Sequence, residues 1–120
     1  MSKSILIAED EKAIAEALKL KLERSGFEVV IARDGKEALE LTKNKNFDLI
    51  ILDLIMPNLD GFEFLAAAKK QGIASPIIVA SNLGQPEDEK KAKELGAKDF
   101  FIKSNVSVAE VAKKVKEALL

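Results

Sequence analysis

Residues 49–65 read LIILDLIMPNLDGFEFL, and this stretch leads from an apolar run into the start of a helix. The run Leu49–Leu52 is short, rich in isoleucine and leucine and free of polar alternation, which is typical of a strand buried on both faces of a parallel sheet. Eight residues later, Asp60 and Glu63 fit the pattern of a capped helix N-terminus, as do Asp34 with Glu37 and Ser107 with Glu110 elsewhere in the chain. A buried strand followed closely by a helix is the repeating unit of an α/β fold.

The same unit recurs along the chain. Four further apolar runs are Ile5–Ala8, Phe27–Ile31, Ile77–Ala80 and Phe100–Ile102. Stretches with helical spacing lie between the runs, and in the first of them, residues 11–25, one apolar face is predicted from Ile14, Ala17, Leu18 and Leu22. Strand and helix thus alternate five times and predict a parallel sheet with helices on both faces. For five strands we expect the doubly wound, flavodoxin-like (βα)5 arrangement with strand order 2-1-3-4-5.

Composition limits the classes of protein and of site. The chain has 120 residues with 48% hydrophobic and 32% charged content, which indicates one globular domain. A net charge of −1 and the lack of a basic block argue against a nucleic-acid binder. The chain contains no cysteine and no histidine, so any metal should be a hard cation held by oxygen atoms.

Four of the five runs end on a polar side chain that can take part in chemistry. Glu9 and Asp10 follow the first run, Asp53 the third, Ser81 the fourth and Lys103 the fifth. The carboxyl ends of parallel strands share one edge, so we expect these groups to meet in a crevice at the switch point between strands 1 and 3. Three carboxylates, a hydroxyl and an amine are the components of a Mg²⁺-assisted site for phosphorylation of an aspartate.

Each residue also has a simpler interpretation. Acids such as Glu9 and Asp10 often cap the following helix, and a serine after a strand often lies in a turn. The buried carboxylate of Asp53 needs a partner, which a structural ion pair with Lys103 would supply. Carboxylates this close repel one another unless a cation lies among them, and an oxygen-only Mg²⁺ site meets that need.

At these residues the chain resembles the receiver domains of two-component response regulators, the CheY-like family. Residues 53–61, DLIMPNLDG, are similar to the family's phosphoacceptor signature D-x-x-M-P-x-x-D-G. The acidic pair, the hydroxyl of Ser81 and residues 96–104, GAKDFFIKS, match in order and spacing. The resemblance covers the whole chain and implies one receiver domain over residues 1–120.

The resemblance implies a metal site and a nucleophile. Asp53 would take a phosphoryl group from a partner's phosphohistidine or from a small phosphodonor. Mg²⁺, or Mn²⁺, would be bound directly by Asp10 and Asp53, through water by Glu9, and by the main-chain carbonyl of Ile55.

The resemblance also implies a conformational response. Lys103 would pair with the phosphoryl group, and Ser81 would move toward it. Phe100 occupies the position of an aromatic residue that turns inward as the hydroxyl moves, although plain core packing also accounts for a phenylalanine there.

The chain departs from the family pattern at three places. Ser104 replaces a proline that commonly follows a cis bond, and since a cis bond before a non-proline residue costs about 2.5–4 kcal/mol, we expect a trans Lys103–Ser104 bond. Asn82 stands where the residue is usually small. Ile55 and Leu83 are apolar where many members have polar side chains near the attacking water.

Other classes of protein fit less well. Phosphatases of the haloacid dehalogenase type need a second acid two residues after the nucleophile, where this chain has Ile55. A flavodoxin-like flavin carrier would need a phosphate loop after strand 1, whereas residues 9–11 are acidic, and the chain has no tyrosine or tryptophan to stack on the ring. A receiver fold kept or engineered as a scaffold stays open.

These interpretations set the expected biology. We expect a cytoplasmic signalling module that is not a classical enzyme and binds neither nucleic acid nor membrane. Its partners would be a histidine kinase or phosphotransfer protein, and a downstream protein at the face of the fourth helix, fifth strand and fifth helix. It would be a monomer or a phosphorylation-dependent dimer. The fourth helix has little apolar surface beyond Ala92 and Leu95, so it should be the least firmly docked.

Overall fold

The computed structural model describes residues 2–119. The strands are β1 (Ser4–Ala8), β2 (Glu28–Ala32), β3 (Leu49–Leu52), β4 (Ile77–Ser81) and β5 (Asp99–Ile102). The helices are α1 (Lys12–Arg24), α2 (Gly35–Asn44), α3 (Gly61–Gln71), α4 (Pro86–Glu94) and α5 (Val108–Leu119), with a 3₁₀ turn, η1, at Lys103–Asn105. All strand pairs are parallel in the order β2-β1-β3-β4-β5, which confirms the predicted flavodoxin-like topology.

The burial of the strands follows their place in the sheet. Every residue of β1, β3 and β4 is buried, as expected for central strands with helices on both faces. The edge strands β2 and β5 are only partly covered. The predicted strands differ from the observed ones by single residues at their ends, and Ser81 is the last residue of β4 rather than the first residue after it.

Two hydrophobic cores lie on the two faces of the sheet. One contains side chains from α1 and α5, among them Leu18, Leu22 and Val115. The other contains side chains from α2, α3 and α4, with Phe64 fully buried at its centre. The expected apolar face of α1 needs one correction, because Ala15 is buried and Ala17 is exposed. Among residues 2–119, every helix is too short or too polar to span a bilayer.

Three helices begin with the caps that the sequence predicts. Asp60 and Glu63 form a complete capping box, in which each side chain accepts a hydrogen bond from the other residue's main-chain N–H. Ser107 and Glu110 do the same at α5. At α2 the Asp34 carboxylate accepts from the Glu37 N–H at 2.7 Å, and the predicted cap is confirmed.

Helix α4 is held by few apolar contacts. Ala92 is the one buried residue within it, and Leu95 at its C-terminal end is partly buried against the core. The Lys91 ammonium lies 4.3 Å from the centre of the Phe62 ring on α3, a cation–π contact. The structure therefore agrees with the prediction that α4 has the weakest anchoring.

Gly61 lets α3 begin directly against the end of β3. Its N–H donates to the Leu54 carbonyl at 2.9 Å. A Cβ atom at this position would lie 2.4 Å from the Asp53 carbonyl oxygen and 2.6 Å from the Leu54 Cα atom. These atoms belong to the main chain, which cannot shift without a large cost in free energy, so only glycine fits this junction.

We expect Gly61→Ala to lower the free energy of unfolding by about 2 kcal/mol, as overpacking typically does. Alanine is otherwise the better helix former by about 1 kcal/mol, so the loss would show that the close approach dominates. Ala66→Gly, at an exposed position of the same helix, is the matched control and should cost about 1 kcal/mol. Urea unfolding of both variants checks this, and a gain in stability for Gly61→Ala would contradict it.

Candidate functional site

The register of β1 and β3 brings two carboxylates side by side. Ala8 of β1 pairs with Leu52 of β3, so the next residues, Glu9 and Asp53, leave the sheet together. Main-chain hydrogen bonds continue the pairing past the strand end, since the Asp53 N–H donates to the Ala8 carbonyl at 2.9 Å. Both carboxylate side chains are buried, whereas Asp10 is exposed. The structure thus brings together the three acids predicted from the strand ends.

Glu9, Asp10 and Asp53 form a group that suits a hard divalent cation. Each residue offers one carboxylate oxygen, and these three oxygens lie within 4.8 Å of one another. Carboxylate oxygens are the ligands that Mg²⁺ prefers, and it is commonly bound by one or two carboxylates, with water completing its shell. The donor set therefore fits the Mg²⁺ that the sequence predicts.

The Lys103 ammonium lies among these acids. Its Nζ atom is 3.2 Å from Asp53 Oδ2 and 3.7 Å from Glu11, and it donates a short hydrogen bond to Glu9 Oε1. The lysine side chain is only 11% exposed, and Lys103 begins η1 directly after β5. The ion pair between Asp53 and Lys103 that served as the simpler interpretation is therefore present, together with the acid cluster.

Burial and crowding change the proton affinities at this site. Burial raises the pKa of Glu9 to about 7, with a further contribution from the negative charge of Asp53, although the hydrogen bond from Lys103 opposes the shift. Burial alone would lower the pKa of Lys103, but the hydrogen bonds and charges of Glu9 and Asp53 outweigh it and raise that pKa. Lys103 therefore stays charged, while Glu9 is only weakly acidic.

The loop after β3 borders the site. Asp53 Oδ1 accepts a hydrogen bond from the Ile55 N–H at 3.3 Å, which places the Ile55 main chain beside the acids. The Ile55 side chain is 55% exposed, an unusual position for isoleucine. Leu83 instead packs against the core, so it does not share this exposure. Peptide bonds within the described range are all trans, including Lys103–Ser104, as predicted.

The two predicted switch residues lie on the same side of the sheet as α4. Ser81 is fully buried, and its Oγ atom accepts from the Leu83 N–H at 3.3 Å. Phe100 on β5 pairs in register with Val79 and packs in the core, 8% exposed. Among the described residues no hydrogen bond joins Ser81 to the acids, so its contribution there would require movement.

Sequence reasoning missed two sets of contacts at the site. Glu11 takes part in the Lys103 network, and the acidic run of residues 9–11 was the available signal. The Asn58 side chain donates to Asp34 at 2.7 Å, which links the β3–α3 loop to the start of α2. Asn58 also adopts a left-handed φ of 68°, and asparagine is one of the few residues that tolerate it.

The comparisons with known proteins agree with this geometry. The family model described as "Response regulator receiver domain" matches residues 5–116. The alkaline phosphatase synthesis transcriptional regulatory protein PhoP of Bacillus subtilis is 39% identical over 99% of this chain and 49% of its own length. The transcriptional regulatory protein SrrA of Staphylococcus aureus is 38% identical over 99% of this chain and 48% of its own length. The chain spans about half the length of these curated relatives.

Solved structures share the whole fold. The receiver domain of the Francisella response regulator 1452 superposes with a TM-score of 0.92 at 36% identity, covering 98% of this chain and 97% of that one. The chemotaxis response regulator CheY4 of Vibrio cholerae gives 0.90 at 30% identity, over 99% and 100% of the two chains. The strand order and the carboxylate-rich sheet edge agree with these matches, and the chain belongs to the response regulator receiver domain family.

Proposed function

We propose that this chain is phosphorylated on Asp53 and that the modification changes its affinity for a protein partner. The observation that carries the proposal is the cluster of Glu9, Asp10 and Asp53 with the Lys103 ammonium 3.2 Å from Asp53 Oδ2. An isolated ion pair would need only one acid for one lysine. Three acids around one ammonium leave an excess of negative charge, which a divalent cation balances.

The reaction is a direct phosphoryl transfer. An Asp53 carboxylate oxygen forms a bond to phosphorus while the bond from phosphorus to the donor breaks. From phosphohistidine that bond is P–N, and the imidazole leaves with its electron pair and takes up a proton from solvent. From acetyl phosphate it is P–O, and acetate leaves. Lys103 is already charged at the nucleophile, so it neutralises charge on the transferring group without a proton transfer.

Asp10 and Asp53 would hold Mg²⁺ directly, Glu9 through water, and Ile55 through its main-chain carbonyl. When bound, the ion neutralises the phosphoryl oxygens and orients them for transfer. Glu9 contributes a carboxyl group whose pKa of about 7 lets it release a proton as a cation arrives.

The biological setting follows from the same site. The donor would be a histidine kinase or phosphotransfer protein, as for receiver domains in general, or a small phosphodonor. The chain would act as a substrate and a switch rather than as a turnover enzyme, since the phosphoryl group becomes attached to the chain itself. The downstream protein would contact the face formed by α4, β5 and α5.

We expect acetyl phosphate or phosphoramidate with Mg²⁺ to add one phosphoryl mass to the wild-type chain and none to Asp53→Asn, which removes the nucleophile. Asp10→Ala should lose most Mg²⁺ binding, because it leaves too few anionic oxygens to compete with the hydration of Mg²⁺. Intact-mass measurement and calorimetry check the two results. Equal labelling of Asp53→Asn, or full labelling in EDTA, would refute the proposal.

The response should reach α4 first. Ser81 and Phe100 lie on the same side of the sheet as α4, and Ala92 is the one buried residue of α4, so little free energy opposes its displacement. Beryllofluoride with Mg²⁺ mimics the phosphoryl group, and hydrogen exchange should then change most in residues 86–95. Asp53→Asn is the control and should show no change. A larger change in α1 than in α4 would show that the output face has been misplaced.

The phosphorylated state should last for many minutes. Water must attack the phosphorus in line, and the exposed Ile55 side chain at the site has no group to orient it. Ile55→Asn adds such a group and should speed loss of phosphate about tenfold, or roughly 1.4 kcal/mol of activation free energy. Ile55→Val is the matched apolar control and should leave the rate unchanged. A wild-type half-life of seconds, equal in all three chains, would contradict this explanation.

A further inference from the structure

The loop that follows the phosphorylation site is attached to a helix outside that site. Residues 54–60 lead from Asp53 to the start of α3 and include the Ile55 main chain. At the end of this loop, the Asp60–Glu63 capping box and Gly61 hold it against α3 and β3. Its middle is held by a different element, the N-terminus of α2.

Two contacts make this second attachment. The Asn58 Nδ2 group donates to Asp34 Oδ2 at 2.7 Å. One residue further along each segment, Gly35 and Leu59 approach so closely that a Cβ atom on the glycine would lie 2.1 Å from the Leu59 carbonyl oxygen. The contacts are adjacent in both segments, so they fix the loop's position and not merely one side chain.

Asp34 is suited to this role because its two carboxylate oxygens have separate tasks. Oδ1 caps α2 through the Glu37 N–H, and Oδ2 accepts from Asn58. Both hydrogen bonds stabilise the charged form, with the cap as the larger cause, and they lower the pKa of Asp34. The carboxylate is thus ionised at neutral pH, and a charge-assisted hydrogen bond is stronger than a neutral one.

Asn58 requires support at its position. Its φ of 68° lies in the left-handed region, where side chains other than those of asparagine and aspartate are rarely found. Without a partner, the loop would gain freedom to leave this conformation, and the Ile55 main chain three residues earlier would move with it. Preorganised ligands bind more tightly than ligands that must first be ordered.

We propose that Asp34 and Asn58 are positioning residues for the phosphorylation site: their hydrogen bond holds residues 54–60 in the conformation that supports Mg²⁺ binding. This inference rests on the proposed function, because it assumes that the Ile55 carbonyl is a metal ligand. The β2–α2 junction, which lies outside the acid cluster, would then contribute to the affinity for Mg²⁺.

The test compares four variants that separate the hydrogen bond from the helix cap and from charge. Asp34→Ser keeps a capping oxygen but is too short to reach Asn58. Asp34→Asn removes the same charge yet retains the pair, since the amide of Asn58 can flip and accept. Asn58→Asp places two acceptors opposite each other. The double variant Asp34→Asn with Asn58→Asp restores a donor and an acceptor with the original net charge.

Calorimetric titration of each full chain with MgCl₂ measures the affinity without a tryptophan or tyrosine signal, which this chain lacks. We expect the dissociation constant to rise about fivefold, or roughly 1 kcal/mol, in Asp34→Ser and Asn58→Asp. The double variant, which keeps a charge-assisted pair, should stay near the wild-type value, and Asp34→Asn, which keeps a neutral pair, should lie between the wild type and Asp34→Ser. Thermal unfolding in EDTA shows that each variant is folded.

Three other outcomes of the titrations would each have a different consequence for the inference. If charge alone mattered, Asp34→Asn would weaken Mg²⁺ binding as much as Asp34→Ser, and Asn58→Asp would strengthen it, which would overturn the inference. Unchanged affinity in all four variants, with normal Mg²⁺ binding by the wild type, would overturn it while leaving the proposed function intact. Absence of Mg²⁺ binding by the wild type would overturn both.

Discussion

Crowding of like charge at one edge of the sheet is the constraint on which the rest of the structure depends. Glu9 and Asp53 are buried next to each other because β1 and β3 are neighbours, and Asp10 adds a third carboxylate. Within residues 2–119 one ammonium, that of Lys103, reaches them and does not balance their charge; burial, with a further contribution from the charge of Asp53, raises the pKa of Glu9. The site therefore suits a divalent cation, and in the proposed reaction that cation and Lys103 would together neutralise the phosphoryl group.

The scaffold is rigid at the strands that carry these acids and more weakly packed at helix α4. The strands that carry the acids are fully buried, and Gly61 lets α3 begin against the main chain of Asp53. Relaxation by spreading the acids apart would disturb both cores. Helix α4 has far less apolar contact, so displacing it would cost little free energy when the site changes. Rigidity at the acids and weak docking at α4 are complementary requirements of a switch.

Much of this could be predicted from the sequence, and the rest could not, for physical reasons. Buried parallel strands are read from uninterrupted apolar runs, and topology then brings Asp53 and Lys103 together although they are far apart in the chain. Helix faces are less certain, since Ala17 was expected inside and is exposed. The Asn58–Asp34 contact depends on a left-handed loop residue and a particular rotamer, and the hydrophobic periodicity of the sequence predicts neither.

The β3–α3 loop and the first turn of α3 contact two different helices, α2 and α4. Helices α2, α3 and α4 share one face of the sheet, and the β3–α3 loop lies between the start of α2 and the start of α3. In the proposed role, the contact with α2 would act before phosphorylation, because it would order the loop in the chain that has yet to bind metal. The contact between Lys91 of α4 and Phe62 lies in the first turn of α3, between the two capping-box residues Asp60 and Glu63. In the proposed mechanism, metal affinity would depend on the contact with α2 and the output on the docking of α4, so the two could vary independently.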